Sequence, residues 1–328
     1  MSFQALDLVP RNGILGHDGW TMNDAVKPST SDMPSDSWVD RWAPPAARPY
    51  LRLMRLDRPI GTWLLLFPCW WSVAMAAPGW PDPWFLALFA VGALIMRGAG
   101  CTLNDIADRH FDARVARTAD RPIASGQITV FRAVIFLGLQ LLAGLAILLQ
   151  FNRPTVVLGI LSLVLVAVYP FSKRVTYWPQ AILGLTFNWG ALIGWTAVRG
   201  TLDWPAIALY AACFFWTMGY DTIYAHQDKE DDILIGVKST ALKLGDATRP
   251  WLFGFYGATV ALMATAGWLA GSAWPFYVGL ALAAAHLFRQ AATVDIADPA
   301  RCLMVFKSNR TVGWLMLAAF VGGSAVSG

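Results

Sequence analysis

Long apolar stretches alternate with short polar segments along most of this chain. The apolar stretches are residues 59–77, 84–103, 130–150, 154–171, 178–198, 205–220, 251–270, 273–292 and 311–327. Most of them approach the roughly 20 residues that an α-helix needs to cross a lipid bilayer. The pattern predicts an all-α polytopic membrane protein, in which these nine stretches form nine transmembrane helices.

The composition also indicates a membrane protein. Of the 328 residues, 56% are hydrophobic and only 14% are charged, whereas soluble domains carry about a quarter of charged residues. The net charge of +4 does not point to nucleic acid, because the basic residues lie in short loops and no nucleic-acid-binding module is recognisable. We therefore expect the lipid bilayer as the main partner, with no nucleic acid and no obligate protein partner.

The first 45 residues differ from the rest, since they are polar and rich in Asp, Ser and Pro. We expect a disordered tail over residues 1–45, with a short surface element near Trp38 and Trp42, and a transmembrane domain over residues 46–328. The tail has no apolar core of a secretory signal, and its acids argue against a mitochondrial transit peptide. This favours a bacterial cell inner membrane.

Basic residues occupy every second loop between the apolar stretches. The opposite loops hold only Arg153 and Arg199. Because basic loops stay in the cytoplasm, we expect a cytoplasmic N-terminus.

Acidic residues are concentrated in two windows, which fall on this cytoplasmic side. Of the 15 acids after residue 40, eight lie in residues 104–112 and 221–232. In the first window, Asn104, Asp108 and Asp112 are four residues apart, which places them on one helix face. The second window has Asp221, Asp228 and Asp232 at steps of seven and four, which again predicts one face of a helix.

Crowded carboxylates repel one another unless a cation lies between them. An all-oxygen ligand set favours Mg²⁺, Mn²⁺ or Ca²⁺ over Zn²⁺, and Mg²⁺ is commonly held by one or two carboxylates together with substrate phosphates. Two such strips facing each other would bracket a diphosphate through bridging metal ions. The alternative is that both windows are solvated loop charges.

Several basic residues are candidates for direct contact with a diphosphate. They are Arg117, Arg121, Lys173, Arg174 and Lys238. The alternative is that these side chains only hold their loops on the cytoplasmic side.

Arg97 lies inside an apolar stretch, where a charge is unfavourable and commonly functional. It shares a helix face with Asn104 and lies about 10 Å deeper along the helix. A cation at that depth could hold the carboxylate of an aromatic acceptor. The alternative is that Arg97 pairs with an acid or extends towards the membrane surface.

Five stretches of the sequence resemble the UbiA-type intramembrane prenyltransferases, and most closely the branch that acts on 4-hydroxybenzoate. They are residues 104–122 and 221–232, which match the two Asp-rich motifs, and residues 55–61 (RLDRPIG), 96–101 (MRGAGC) and 169–174 (YPFSKR). The resemblance covers roughly residues 50–325.

This resemblance implies a helical bundle around a central cavity that opens to lipid, with Mg²⁺ as cofactor and a polyprenyl diphosphate and 4-hydroxybenzoate as substrates in ubiquinone biosynthesis. The implied metal-binding residues are Asn104, Asp105, Asp108, Asp112, Asp221, Asp228 and Asp232. Asp108, Asp221 and Asp228 are the implied catalytic residues, with Asp221 a candidate general base. Arg97 or Arg55 would bind the acceptor.

Three alternatives remain open from the sequence. One is another enzyme of the same superfamily with a different quinone or tetrapyrrole acceptor. The second is a membrane transporter for cations or organic anions, although such proteins more often place their charges at the bilayer midplane. The third is a terpene-synthase-like diphosphate lyase, which shares the metal chemistry but needs no aromatic acceptor.

Overall fold

α-Helices are the regular secondary structure in the computed structural model, which describes residues 31–34, 36–115, 117–229, 233 and 236–327. No strand occurs in these ranges. The helices are α1 (Trp38–Trp42), α2 (Arg48–Leu53), α3 (Ile60–Ala76), α4 (Pro83–Asp112), α5 (Val130–Leu148), α6 (Arg153–Val175), α7 (Pro179–Phe187), α8 (Gly190–Arg199), α9 (Trp204–Ala225), α10 (Thr240–Leu244), α11 (Thr248–Leu269), α12 (Trp274–Thr293) and α13 (Pro299–Ser327). Short 3-10 turns cover His226–Asp228 and Gly245–Ala247.

The apolar stretches of the sequence all lie on these helices, which confirms the all-α prediction over the described ranges. Five segments among them are long and apolar enough to cross a membrane, and α3 is a shorter apolar helix. The five are Pro83–Asp112, Val130–Leu148, Arg153–Val175, Pro179–Arg199 and Thr240–Leu269. The expected count of nine transmembrane helices is therefore not confirmed.

The stretch 178–198 was expected to be one helix, but the helix is interrupted between α7 and α8. Asn188 has φ −97° and ψ 5°, which lies outside the helical region. Its side-chain amide donates to the Gly184 carbonyl at 2.8 Å and to Thr217 Oγ1 at 2.7 Å. These bonds hold the interruption at a position where apolar residues on both sides predict a continuous helix.

The core joins α3, near the start of the described chain, to α13, the last helix. Trp71 on α3 donates its indole hydrogen to the Gly313 carbonyl on α13 at 2.9 Å, and its ring lies 4.9 Å from that of Trp216 on α9. Trp216 in turn donates to Asn309 Oδ1 at 2.9 Å. Buried indoles satisfy their polar atoms in this way, so α3, α9 and α13 form a fixed frame for the rest of the bundle.

The N-terminal segment is described from residue 31, and residues 1–30 lie outside the described part. Helix α1 begins after Ser37, whose side chain donates to Asp40 at 2.9 Å and forms a capping box with it. Trp38 donates to the Leu56 carbonyl at 2.8 Å. The short element expected near Trp38 is thus a helix packed on the transmembrane domain. A tail boundary at residue 45 stays a prediction.

Candidate active site

Helix α4 carries the first acidic window on its last two turns. The helix begins at Pro83, where the Asp82 side chain accepts the Trp84 backbone N–H at 2.8 Å, and it continues to Asp112. This is longer than the expected stretch 84–103. Because the helix is continuous, Asn104, Asp108 and Asp112 share one face, as their spacing predicts.

Asp105 belongs to the same window but has different partners. Arg55 Nη2 donates to both oxygens of Asp105 at 2.7 and 3.0 Å, and Arg121 lies 3.5 Å away. The Asp105 side chain is only 1% exposed. Asp105 lies about 100° around the helix from Asn104 but on the same side as Asp112, seven residues on, and Arg121 contacts both carboxylates. These contacts indicate that Asp105 orients Arg55 and Arg121. They do not favour the metal-binding role that the motif implies for Asp105.

Arg55 is held in an unusual backbone conformation. Its φ is 60°, which side-chain-bearing residues adopt rarely and at some energetic expense. In this conformation the Nη2 atom of Arg55 reaches both oxygens of Asp105. Since Arg55 is buried and already paired with a carboxylate, it is less suited than Arg97 to bind an acceptor.

Asp108 faces the basic end of α6. Lys173 forms a short ion pair with one carboxylate oxygen, and Arg174 lies 3.2 Å from the other. The Asp108 residue is fully buried. Two of the cations predicted to bind diphosphate are therefore located directly at a predicted metal-binding carboxylate.

Asp112 is joined to Arg121, which donates to both of its oxygens at 3.1 Å. Arg121 also pairs with Asp32 at 2.8 Å. Burial acts to lower the pKa of Arg121, but three neighbouring carboxylates, with Asp105 foremost, outweigh it and raise the pKa above its usual value. Arg121 is therefore a permanently charged residue at the centre of the site.

Asp32 is a member of this cluster that the sequence did not reveal. Besides Arg121 it pairs with Arg58 at 3.2 Å, and its backbone N–H donates to the Arg117 carbonyl at 2.8 Å. Burial acts to raise the pKa of Asp32, but the charges of these arginines lower it on balance. Its position in the polar N-terminal segment gave no sign of this role.

The second window does not continue as one α-helix. Helix α9 carries Asp221 and ends at Ala225, and Asp228 lies in the 3-10 turn that follows. One continuous α-helical strip through Asp221 and Asp228 is therefore wrong. The Asp228 side chain and the whole of Asp232 lie outside the described part, so their expected metal binding stays a prediction.

Lys238, after the second window, is anchored to the end of α6. Its ammonium donates to the Val175 carbonyl at 3.1 Å and lies 5.3 Å from the Tyr177 ring centroid. Its backbone N–H donates to the Lys173 carbonyl at 3.0 Å. Lys238 thus joins the loop of the second window to the helix that carries Lys173, and its predicted contact with diphosphate is untested.

Tyr169 lies on α6, one turn before Lys173. The charged groups near its hydroxyl include Asp221 of the second window and Asp108 of the first.

Arg97 projects from α4 below the acidic window. Its guanidinium carbon lies 5.2 Å from the centroid of the Phe187 ring. Its Nε atom is buried and has no hydrogen-bond partner among the described residues. The predicted acceptor-binding residue is thus held by packing, on the helix that also carries the first window.

No metal cluster of three or more His, Cys, Asp or Glu side chains is formed among the described residues. The donor chemistry nevertheless fits Mg²⁺, because Asn104, Asp108 and Asp112 present oxygen atoms on one face. Lys173 and Arg174 pair with Asp108, and Arg121 pairs with Asp112.

Comparison with known proteins shows the family of this chain. The family model described as "UbiA prenyltransferase family" matches residues 65–322. The protein of Rattus norvegicus named "4-hydroxybenzoate polyprenyltransferase, mitochondrial" is 54% identical over 86% of this chain and 76% of its own length. The Aedes aegypti protein of the same name is 50% identical over 85% of this chain, which spans only 64% of that relative.

A solved structure has the same fold. The UbiA homologue from Archaeoglobus fulgidus bound to GPP and Mg²⁺ aligns with a TM-score of 0.61 at 18% identity, over 82% of this chain and 99% of that one. The names of the sequence relatives place them in mitochondria, so the bacterial inner membrane expected from the acidic tail is not supported. Because the family model matches residues 65–322 and the rat relative is 54% identical over 86% of this chain, the chain belongs to the UbiA prenyltransferase family.

Proposed function

We propose that this integral membrane protein transfers a polyprenyl chain from polyprenyl diphosphate to 4-hydroxybenzoate, as a step of ubiquinone biosynthesis. The observation that carries the proposal is the layout of α4, which places Arg97 two turns below Asn104, the first residue of the acidic window. At 1.5 Å per residue this separates the two groups by about 10 Å. Such a distance suits an aromatic acid held by its carboxylate below a diphosphate.

The diphosphate would lie among the cations that surround the first window. Lys173 and Arg174 on Asp108, and Arg121 on Asp112, can exchange part of their carboxylate contact for phosphate oxygens. Arginine forks match phosphate geometry, and lysine supplies a compact charge. Arg117 and Lys238 lie on the adjoining loops and would complete the set.

Asn104, Asp108 and Asp112, with Asp221, Asp228 and Asp232, would hold Mg²⁺. When bound, Mg²⁺ supplies positive charge that stabilises the leaving diphosphate. Asp105 is proposed as a positioning residue, because its carboxylate is committed to Arg55 and Arg121. It would keep both guanidinium groups in place during turnover.

The reaction breaks the bond between C1 of the isoprenoid and the diphosphate oxygen, and the diphosphate leaves with the electron pair. The allylic cation then forms a bond with the ring carbon ortho to the hydroxyl of 4-hydroxybenzoate. That carbon loses its proton, and we propose the Asp221 carboxylate as the base. The products are one 3-polyprenyl-4-hydroxybenzoate, one diphosphate and one proton.

We further propose that the nine apolar segments form nine spans around a cavity open to lipid, with the mouth on the side of the basic loops. A polyprenyl chain could enter such a cavity from the bilayer. The names of the relatives favour 4-hydroxybenzoate over other UbiA-type acceptors. Membership of a prenyltransferase family argues against the transporter alternative.

The test is transfer by the purified full chain in liposomes, with a polyprenyl diphosphate and a panel of quinone and tetrapyrrole precursors. We expect product with 4-hydroxybenzoate and none with precursors that lack the ring carboxylate. Efficient transfer to another precursor, and not to 4-hydroxybenzoate, would overturn the acceptor assignment and keep the prenyl chemistry.

A further inference from the structure

Gly61, in the first turn of α3, lies directly against the guanidinium of Arg97. A Cβ atom at position 61 would be 2.5 Å from Arg97 Nε, 2.8 Å from Nη2 and 3.0 Å from Cζ. No side chain can be accommodated there without a shift. Because the obstructing atoms are the far end of a flexible side chain, an added methyl group would displace the guanidinium and leave the helix in place.

Phe187 provides the second contact, at the end of α7. Its ring centroid lies 5.2 Å from Arg97 Cζ, within the range of a cation–π interaction. The ring is held by the helix interruption that follows it, since Asn188 is bonded to the Gly184 carbonyl and to Thr217. We call Gly61 and Phe187 together the Arg97 seat.

The charge environment of Arg97 differs from that of the arginines nearer the membrane surface. Arg55, Arg58 and Arg121 each pair with a carboxylate. Among the acids whose side chains the structure describes, none forms an ion pair with Arg97. A cation within a transmembrane helix is costly without a compensating anion, so an incoming carboxylate would find a preorganised partner.

We propose that Gly61 and Phe187 are positioning residues that determine the acceptor specificity of this protein. They hold the guanidinium of Arg97 so that it binds an acceptor with a ring carboxylate more tightly than a phenol without one. The inference rests on the proposed function, because it assumes that Arg97 binds the acceptor. The Arg97 seat explains why the guanidinium of Arg97 has a fixed position about 10 Å below the acidic window.

The main test is the variant Gly61→Ala, as the full chain in liposomes. We expect kcat/KM for 4-hydroxybenzoate to fall about tenfold, as for the loss of one hydrogen bond to a charged group, with the KM for polyprenyl diphosphate unchanged. Gly138→Ala is the matched control, because a Cβ at that helical glycine meets nothing within 4 Å. Equal kcat/KM values for the two variants would overturn the proposal.

Competitive ligands separate positioning from a general structural defect. Benzoate carries the carboxylate without the hydroxyl, and p-cresol carries a methyl group in place of the carboxylate. Gly61→Ala should weaken inhibition by benzoate and leave inhibition by p-cresol unchanged. Parallel weakening of both would show that the substitution merely deforms the pocket, against the proposal.

Phe187→Leu is the second variant, and it does not depend on how alanine is tolerated at position 61. It keeps apolar bulk but removes the ring, so we expect a smaller loss of benzoate affinity, about two- to fivefold. An unchanged benzoate affinity would show that the ring does not position Arg97.

Arg97→Ala distinguishes failure of this inference from failure of the proposed function. If this variant keeps wild-type kcat/KM for 4-hydroxybenzoate, Arg97 does not bind the acceptor, and the acceptor-binding part of the proposed function is wrong. If Arg97→Ala loses activity but Gly61→Ala does not, only the Arg97 seat is wrong. Adding Gly61→Ala to Arg97→Ala should cause no further loss, and an additive loss would contradict the proposal.

Discussion

Replacing Asp105 by alanine separates a positioning role of this carboxylate from a metal-binding role. Asp105 is 1% exposed and receives two hydrogen bonds from Arg55, whose side chain is 11% exposed. Removing one partner of a buried ion pair leaves the other charge uncompensated and costs about 3–5 kcal/mol. We therefore expect Asp105→Ala to lower the free energy of unfolding by that amount.

The assay is equilibrium unfolding in mixed micelles, with and without Mg²⁺ and inorganic pyrophosphate. A ligand at 100 times its Kd stabilises the folded state by about 2.7 kcal/mol. The Asp105→Ala variant should be less stable than the wild type, but Mg²⁺ and pyrophosphate should still stabilise it by most of this amount, because Asp112 still holds Arg121. The Asp108→Ala variant should no longer be stabilised by these ligands.

Asp120→Ala is the control, since Asp120 is an exposed acid in the neighbouring loop, and its unfolding should match the wild type. The positioning role of Asp105 would be refuted if Asp105→Ala unfolds like the wild type yet no longer gains stability from Mg²⁺ and pyrophosphate. That result would restore the metal-binding role expected from the motif.

Three further predictions concern the site and the core. Asp108→Asn should abolish turnover while the protein still inserts into liposomes, as measured by product formation; retained turnover would remove Asp108 from the site. Gly313→Ala should destabilise the fold by about 1–3 kcal/mol, because the added Cβ would lie 2.0 Å from the buried Phe67 ring. Gly257→Ala is the control and should not destabilise the fold, because a Cβ there has no atom within 4 Å. Thermal unfolding in detergent measures both variants. Asp32→Asn removes the negative charge that pairs with Arg58 and Arg121. Both arginines are then available to phosphate oxygens, so calorimetry should give a lower Kd for pyrophosphate. A higher Kd would mean that Asp32 orients those arginines for binding.

Hydrophobic patterning predicted where the helices lie, because burial in lipid or protein demands long apolar stretches whatever the tertiary contacts are. It could not predict the interruption at Asn188. Apolar residues flank that position on both sides, and the bonds that stabilise the interruption reach Thr217 on another helix. Hydrophobicity along the chain contains no information on such a partner.

Helical spacing predicted the common face of Asn104, Asp108 and Asp112, because that relation is local to one helix. The role of Asp105 depends on Arg55, which is 50 residues away in sequence, and so could not be inferred from spacing. The end of α9 at Ala225 also invalidated the spacing argument for Asp221 and Asp228. Relations within a continuous helix were predictable, and relations across helices were not.

In the proposed reaction, transfer of a polyprenyl chain to 4-hydroxybenzoate is coupled to release of pyrophosphate. The most direct measurement follows product and pyrophosphate together in liposomes that contain the full chain, with Mg²⁺ and with EDTA. We expect one pyrophosphate released per 3-polyprenyl-4-hydroxybenzoate formed, and neither product when EDTA is present. Pyrophosphate release without the prenylated acid, or transfer that persists in EDTA, would contradict the proposed reaction.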